Sequence, residues 1–381
     1  MRRIFTALAL MTTLTPMSAQ QNQNYHNLQH TAQTLKFRDI AHHMPASWYG
    51  SAEAIAAADS ALKYQFPSGG WGKNVDWHRK GNEAEKAETL MELKAKDAVG
   101  ATIDNGATTT EMLLLAKVYA STCIKKYRKA FIHGLEYLLE AQYDNGGWPQ
   151  FYPFKPFNNE GFPFYSNHIT FNDNAMYNVM VTLRDLAADK VPYDALRLPA
   201  NLKLRAHMAF DKGIACILKC QIRKNGHLTV WCQQHDEHTL QPAGARSYEL
   251  PSFTGCHETP ALLHLLMEID HPSREIVEAI LGAVEWLKSH TLKDLCVEKF
   301  INKEGQPDRR IVHRFGAKLW ARYYDLDTEE PFVSDRDGMK EPDINFIGYE
   351  RRIHYGWYGT DPQEVLDAFP VWLERVKSLP F

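Results

Sequence analysis

Three short polar loops hold the residues whose types and spacing could do chemistry. TIDNGATTTEM sets Asp104 and Asn105 just ahead of an apolar helical run, and ITFNDNAMYNVM sets Asp173 in the same relation to another. QPAGARSYELPSFTGCHET carries Arg246 in a Gly/Ala/Pro-rich stretch that ends at the start of a third. Carboxylate and amide oxygens are hard ligands, and in an extracellular setting Asp104, Asn105 and Asp173 suit calcium better than a transition metal. The stretch Thr108 to Glu111 has capping-box spacing, so the first loop also serves the helix that follows it. Guanidinium groups pair with carboxylates in a bidentate fork. Lys73, after a GGW turn, and Arg336, in SDRDGMKEPD, add further cations to Arg246. A groove with metal, arginine and lysine fits a polyanionic sugar acid. Trp71, Trp148, Tyr152 and Tyr248 supply rings that stack on sugars or pack in a core.

Helices must position these loops. Apolar residues recur at helical spacing in TTEMLLLAKVYAST, KYRKAFIHGLEYLLEAQ, NAMYNVMVTLRDLAAD, LRAHMAFDKGIACILKCQ and the runs between Glu258 and His290. Period-2 alternation is confined to pieces such as HLTVWCQQH, so strands are expected to be brief and local. FPSGGWGKN, QYDNGGWPQFYP and QIRKNGHLTVWCQQHD recur at intervals of roughly eighty residues, long enough for a helical hairpin plus a loop in each unit. Each copy stops a helix at a glycine turn. Such a repeat predicts a mainly α fold, an incomplete α/α toroid of helical hairpins with its site loops on one face.

With 381 residues, 44% of them apolar, the chain has material for a large core. A formal net charge of −3 and a pI near 6.6 argue against a nucleic-acid partner. The first residues, MRRIFTALALMTTLTPMSAQ, read as a secretory signal over 1–19. A lead-in segment over 20–50 and a catalytic domain over 51–381 follow, and nothing later approaches a transmembrane length. A secreted or periplasmic monomer without membrane partners is expected. Export permits disulfides, yet six cysteines scattered over so long a chain read as buried free thiols. Cys216, Cys220, Cys232 and His235 could be drawn as a zinc site, but their spacing matches no standard knuckle.

From about Ser51 to Asp361 the sequence resembles the family 10 polysaccharide lyases, which are pectate lyases. The resemblance rests on GGWGKNVDW, TIDNGATTTEM, NGGWPQFYP, FNDNAMYNVM, ARSYELPSFTGCHE and the RFGAKLWARYYDL, PFVSDRDG and RRIHYGWYG tail. It implies a helical toroid around a wide groove and calcium-dependent β-elimination of polygalacturonate to 4,5-unsaturated oligogalacturonides. On that likeness Arg246 is the base and Asp104, Asn105 and Asp173 form the calcium region. Arg336, Lys73, Asn105 and Tyr248 are substrate contacts. An arginine base must lose part of its proton population, and burial with neighbouring cations would push its pKa down. Two other readings compete: a glycoside hydrolase using Asp104 and Asp173 as acid and base, needing no metal, and a secreted polyuronate-binding protein without turnover.

Overall fold

The structure is a computed structural model that describes residues 32–94, 100–154 and 165–378; the expected signal over 1–19 lies outside the described residues. Its helices are α1 (Phe37–His43), α2 (Ala52–Lys63), α3 (Glu83–Lys94), α4 (Thr109–Thr122), α5 (Lys125–Glu140), α6 (Ala175–Ala187), α7 (Ala200–Cys220), α8 (Glu258–Met267), α9 (Arg274–Ser289), α10 (Tyr349–His354) and α11 (Asp361–Lys377). The helical periods read from the sequence each fall on one of these. Consecutive helices pack as the pairs α4 with α5, α6 with α7 and α8 with α9, and α11 lies against α8 and α9. One large apolar core runs from Ala32 to Val376, so residues 32–50 pack with the helices that follow them. Among the described residues no helix is long and apolar enough to cross a membrane.

The repeat seen in the sequence is a repeat of fastenings. Gln65 donates through Nε2 to Gly69 O at 2.7 Å in its own turn and to Ala130 O at 2.9 Å in α5. Gln142 does the same to Gly146 O at 3.0 Å and to Ala209 O at 2.8 Å in α7. Gln221 donates to Thr229 O at 2.7 Å and to Ala279 O at 2.8 Å in α9. Each glutamine therefore ties the end of one helix to the next helix of the same kind, satisfying one carbonyl of its own turn and adding a bond to a carbonyl within that next helix. The tryptophans complete the pattern. Trp71, Trp148, Trp231 and Trp320 donate their Nε1 protons to Ala61, Leu138, Ile217 and Leu287, each at 2.7 or 2.8 Å, near the ends of α2, α5, α7 and α9. All four rings are fully buried, so Trp71 and Trp148 are core residues and offer no face to a sugar. At Gly146, φ is +95°, and a Cβ would meet Lys212 O of α7 at 2.0 Å. Only glycine lets the turn press so closely on that helix.

Most strands are two-residue pairs, as expected, including Ile169–Thr170 with Gln234–His235 and Gln234–His235 with Pro242–Ala243. The exception is an antiparallel hairpin of Leu292–Ile301 with Pro307–Ala321. Its outward faces are half-exposed and rich in charge, so the apolar alternation used to find strands is absent there.

The capping-box expectation for Thr108 is corrected. Thr108 has φ +66° and makes no side-chain cap; its hydroxyl donates to Thr102 O at 2.8 Å and accepts Trp71 N at 3.0 Å. Glu111 turns into the core instead, where Oε1 accepts the Trp77 indole proton at 2.8 Å. Burial pushes its pKa up to about 7.

Candidate active site

Asp104 and Asp173 sit in matching one-turn 3-10 segments, Asp104–Gly106 and Asn172–Asn174, each just ahead of a core helix. Asn105 (φ +53°) and Asp173 (φ +47°) adopt left-handed backbone conformations that Asn and Asp tolerate better than most residues. The two turns pack together. One amide nitrogen, Asn172 Nδ2, lies 3.1 Å from Asp173 Oδ2 and 3.4 Å from Asp104 Oδ1, so the structure brings the two carboxylates to one place.

Both carboxylates have cationic partners. Lys73 Nζ bonds Asp104, whose side chain is almost wholly buried. The Arg322 guanidinium, itself buried, donates through Nη2 to Asp173 Oδ1 and Asn172 Oδ1 at 3.1 Å each and pairs with Glu258. Glu258 is fully buried at the first residue of α8, and its Oε2 has no partner. Asn105 faces outward and donates to Asn74 Oδ1 at 3.0 Å.

Arg246 joins the same assembly through Glu249. Its Nε donates to Glu249 Oε2 at 2.8 Å, its Nη2 donates to Oε1, and its backbone N–H reaches Oε2 at 3.1 Å. Oε1 also accepts Tyr355 OH at 2.9 Å and Gln233 Nε2 at 3.3 Å. Gln233 donates onward to Asn172, closing a hydrogen-bonded path from Arg246 to the Asp104 and Asp173 turns. The Tyr323 and Tyr355 hydroxyls lie 2.6 Å apart within this network, and burial raises the pKa of both.

The expected direction of the Arg246 pKa is corrected. Burial does work against its charge, but the hydrogen bonds and charge of Glu249 outweigh it, and the pKa rises above the ordinary guanidinium value. Glu249 shows the reciprocal balance: burial opposes its ionisation, Arg246 favours it, and its pKa falls.

Tyr248 holds three guanidinium groups together. Arg351, Arg246 and Arg336 lie 4.3, 4.9 and 5.8 Å from its ring centroid, within cation–π range. Only 2% of Tyr248 is exposed, so its ring packs against these cations and has no open face for a sugar. Arg336 is exposed and pairs with Glu350 at 3.2 Å, which Arg351 also engages.

The zinc drawing fails on geometry. His235 uses both ring nitrogens, lying 2.9 Å from Leu240 O through Nδ1 and accepting Cys232 N–H at 3.1 Å through Nε2. All six cysteines are free, and Cys216 and Cys220 approach to 3.9 Å between sulfurs. Among the described residues, the cluster of three His, Cys, Asp or Glu ligand atoms close enough to share an ion is His168, Asp236 and Glu237.

The residues missed by sequence reasoning are Glu249, Arg322, Glu258, Gln233, Asn172, Tyr355 and Arg351. A signal existed for Glu249. It lies three residues after Arg246 in a non-helical stretch, where a turn brings i and i+3 together, and Glu249 N indeed donates to Arg246 O at 2.8 Å.

Comparison with known proteins places the chain in a family. The family described as pectic acid lyase matches residues 65–366. A solved structure of a family 10 polysaccharide lyase from Cellvibrio cellulosa is 36% identical with a TM-score of 0.71, covering 88% of this chain and 94% of that one. A mutant of a family 10 polysaccharide lyase from the same organism, solved in complex with trigalacturonic acid, is 36% identical with a TM-score of 0.70, covering 86% and 95%. No curated protein matches the chain. The chain belongs to the pectic acid lyase family and is a pectate lyase. That placement sets aside the hydrolase and the non-catalytic binder.

Proposed function

We propose that the enzyme cleaves polygalacturonate by calcium-assisted β-elimination, with Arg246 as the base and Asp104 and Asp173 as the core of the calcium site. The carrying observation is the single hydrogen-bonded path that ties Arg246, through Glu249, Gln233 and Asn172, to both aspartates. Asp104, Asp173 and Asn105 offer only oxygen donors toward a metal, and the buried Asn174 Oδ1 beside them has no partner, so the donor set fits a hard cation. Bound there, calcium would supply positive charge to the substrate carboxylate and so acidify the neighbouring C5–H.

The side chains do the remaining work. Lys73 and Arg336 bind and orient uronate carboxylates, and Asn105, exposed at the rim, contacts the sugar. Arg246, once deprotonated, takes the C5 proton, the C5–H electron pair forms the C4–C5 double bond, the C4–O bond breaks, and the departing oxygen takes a proton from water. Because Glu249 favours the charged guanidinium, turnover should rise steadily into alkaline pH. The groove serves one carbohydrate chain within an incomplete α/α toroid in a protomer that acts as a monomer. Residues 1–19 act as an export signal, placing the enzyme outside the cytoplasm, where its substrate is found.

The test measures unsaturated product by ultraviolet absorbance. Chelation should abolish turnover and added calcium restore it, whereas full activity after exhaustive chelation rules calcium out. Arg246→Ala and Arg246→Lys should each lose about 10²–10⁴ in rate with substrate binding retained. Lost binding with a normal rate at saturation would reassign Arg246 to carboxylate recognition.

A further inference from the structure

Arg246 is held in a way that a simple rim cation would not need. Its Nε and Nη2 edge is taken up by the two oxygens of one carboxylate, while Nη1 takes no part in that fork. The arginine side chain is 41% exposed and its partner only 2%, so the solvent-facing member is fastened to a buried one. Burying a carboxylate is expensive unless its remaining lone pairs are satisfied. Tyr355 and Gln233 satisfy them at Oε1, and Tyr323, donating to Gln233 Oε1, holds the donors in turn. An exposed ion pair would need no such support for its carboxylate. Surface ion pairs form without it and contribute little.

We propose that Glu249 is the positioning residue for Arg246. It is a buried carboxylate fork that fixes the guanidinium plane by the Nε and Nη2 edge and leaves Nη1 as the nitrogen that meets the C5 proton, with Tyr355 and Gln233 fixing the fork. This rests on the reading of Arg246 as the base. The fork also acts against that role, since its negative charge holds the proton on the guanidinium. The hydrogen bonds from Tyr355 and Gln233 draw charge from Oε1 and reduce that penalty. They thus set the plane and moderate the charge with the same contacts.

The experiment uses free guanidinium ion as a probe of the fork in the full-length enzyme with calcium present. Arg246→Ala opens the space beside Glu249, and guanidinium should restore turnover in a saturable way. Adding Glu249→Gln removes the second charge of the pair, so no lone buried ion is left to unfold the protein. It should raise the half-saturating guanidinium concentration about tenfold or more, as expected for loss of a charge-assisted fork. Adding Tyr355→Phe to Arg246→Ala should raise it by a smaller factor, about two- to fivefold. KM for polygalacturonate should stay within about twofold of the parent in all of them, because the fork acts on the base and not on the chain. Melting temperatures recorded alongside confirm folding. Equal half-saturation with and without the Glu249 carboxylate overturns the proposal, as does failure of guanidinium to rescue Arg246→Ala while Glu249 is intact. If Arg246→Ala turns over normally with no guanidinium, the base itself is wrong, and both readings fall together.

Discussion

At the scale of single residues, the site is a problem in charge balance. Asp104, Asp173, Glu249 and Glu258 meet within one hydrogen-bonded assembly, and Lys73, Arg322 and Arg246 are arranged against them. Arg322 keeps Glu258 as a partner even when Asp173 changes, so neutralising Asp173 strands no buried charge. Asp173→Asn is therefore expected to fold with a melting temperature near the parent's while raising the calcium needed for half-maximal activity about tenfold or more. A calcium titration of activity that superimposes on the parent's would reduce Asp173 to a turn residue. The sequence made Asp104, Asp173 and Arg246 visible because each lies in a polar loop beside an apolar helix. Glu249, Glu258 and Arg322 were harder to see, since a buried ionic partner is defined by what surrounds it in space. Tyr248 stayed open to either role for the same reason: an aromatic ring in a loop has one spelling whether its faces meet cations or carbohydrate.

At the scale of elements, the helices were legible from their period, and the glycine turns from their punctuation. The glutamine preceding each turn carried the repeat as strongly as the tryptophan, yet its meaning needs two distances, one within its turn and one to the next helix. Gln142→Leu removes both of its bonds and leaves Gly146 O and Ala209 O without that donor. The expected loss is about 1–3 kcal/mol in urea unfolding, well outside the half-kilocalorie scatter of ordinary surface changes. A change within that scatter would make the glutamine a bystander of the turn. The long hairpin at Leu292–Ala321 escaped the pattern search because, with much of both faces exposed, it has no continuous apolar face to alternate with.

At the scale of the molecule, one buried carboxyl couples folding to pH. Glu111 lies buried in α4, and its Oε2 has no partner. Its pKa is raised by burial to about 7, while the unfolded chain keeps the ordinary value of 4.5. The folded state thus binds the extra proton, so the stability from this group is fully present below about pH 4.5 and is lost as pH rises through about 7. The difference amounts to something on the order of 3 kcal/mol for a group this deeply buried. Glu111→Gln should cancel that slope, so the difference in melting temperature between parent and variant should change across this window and level off on either side. A difference that stays constant with pH would show that Glu111 does not titrate there.

The glutamine and tryptophan fastenings also divide the molecule by tolerance of length. On the side of the glycine turns, every copy ties fixed carbonyls in two neighbouring helices, so adding or deleting a residue would put the donors out of reach of both. On the opposite side the links vary in length: α4 and α5 are joined by Cys123 and Ile124 alone, α8 and α9 by residues 268–273, and α6 and α7 by residues 188–199, where Val191 is 82% exposed and the Arg128 bonds fall later, at Leu196 O and Arg197 O. Insertions and deletions within this family should therefore collect at the second set of links, and a tag or sensor domain spliced in beside Val191 would leave the register of the Asp104, Asp173 and Arg246 loops as it is.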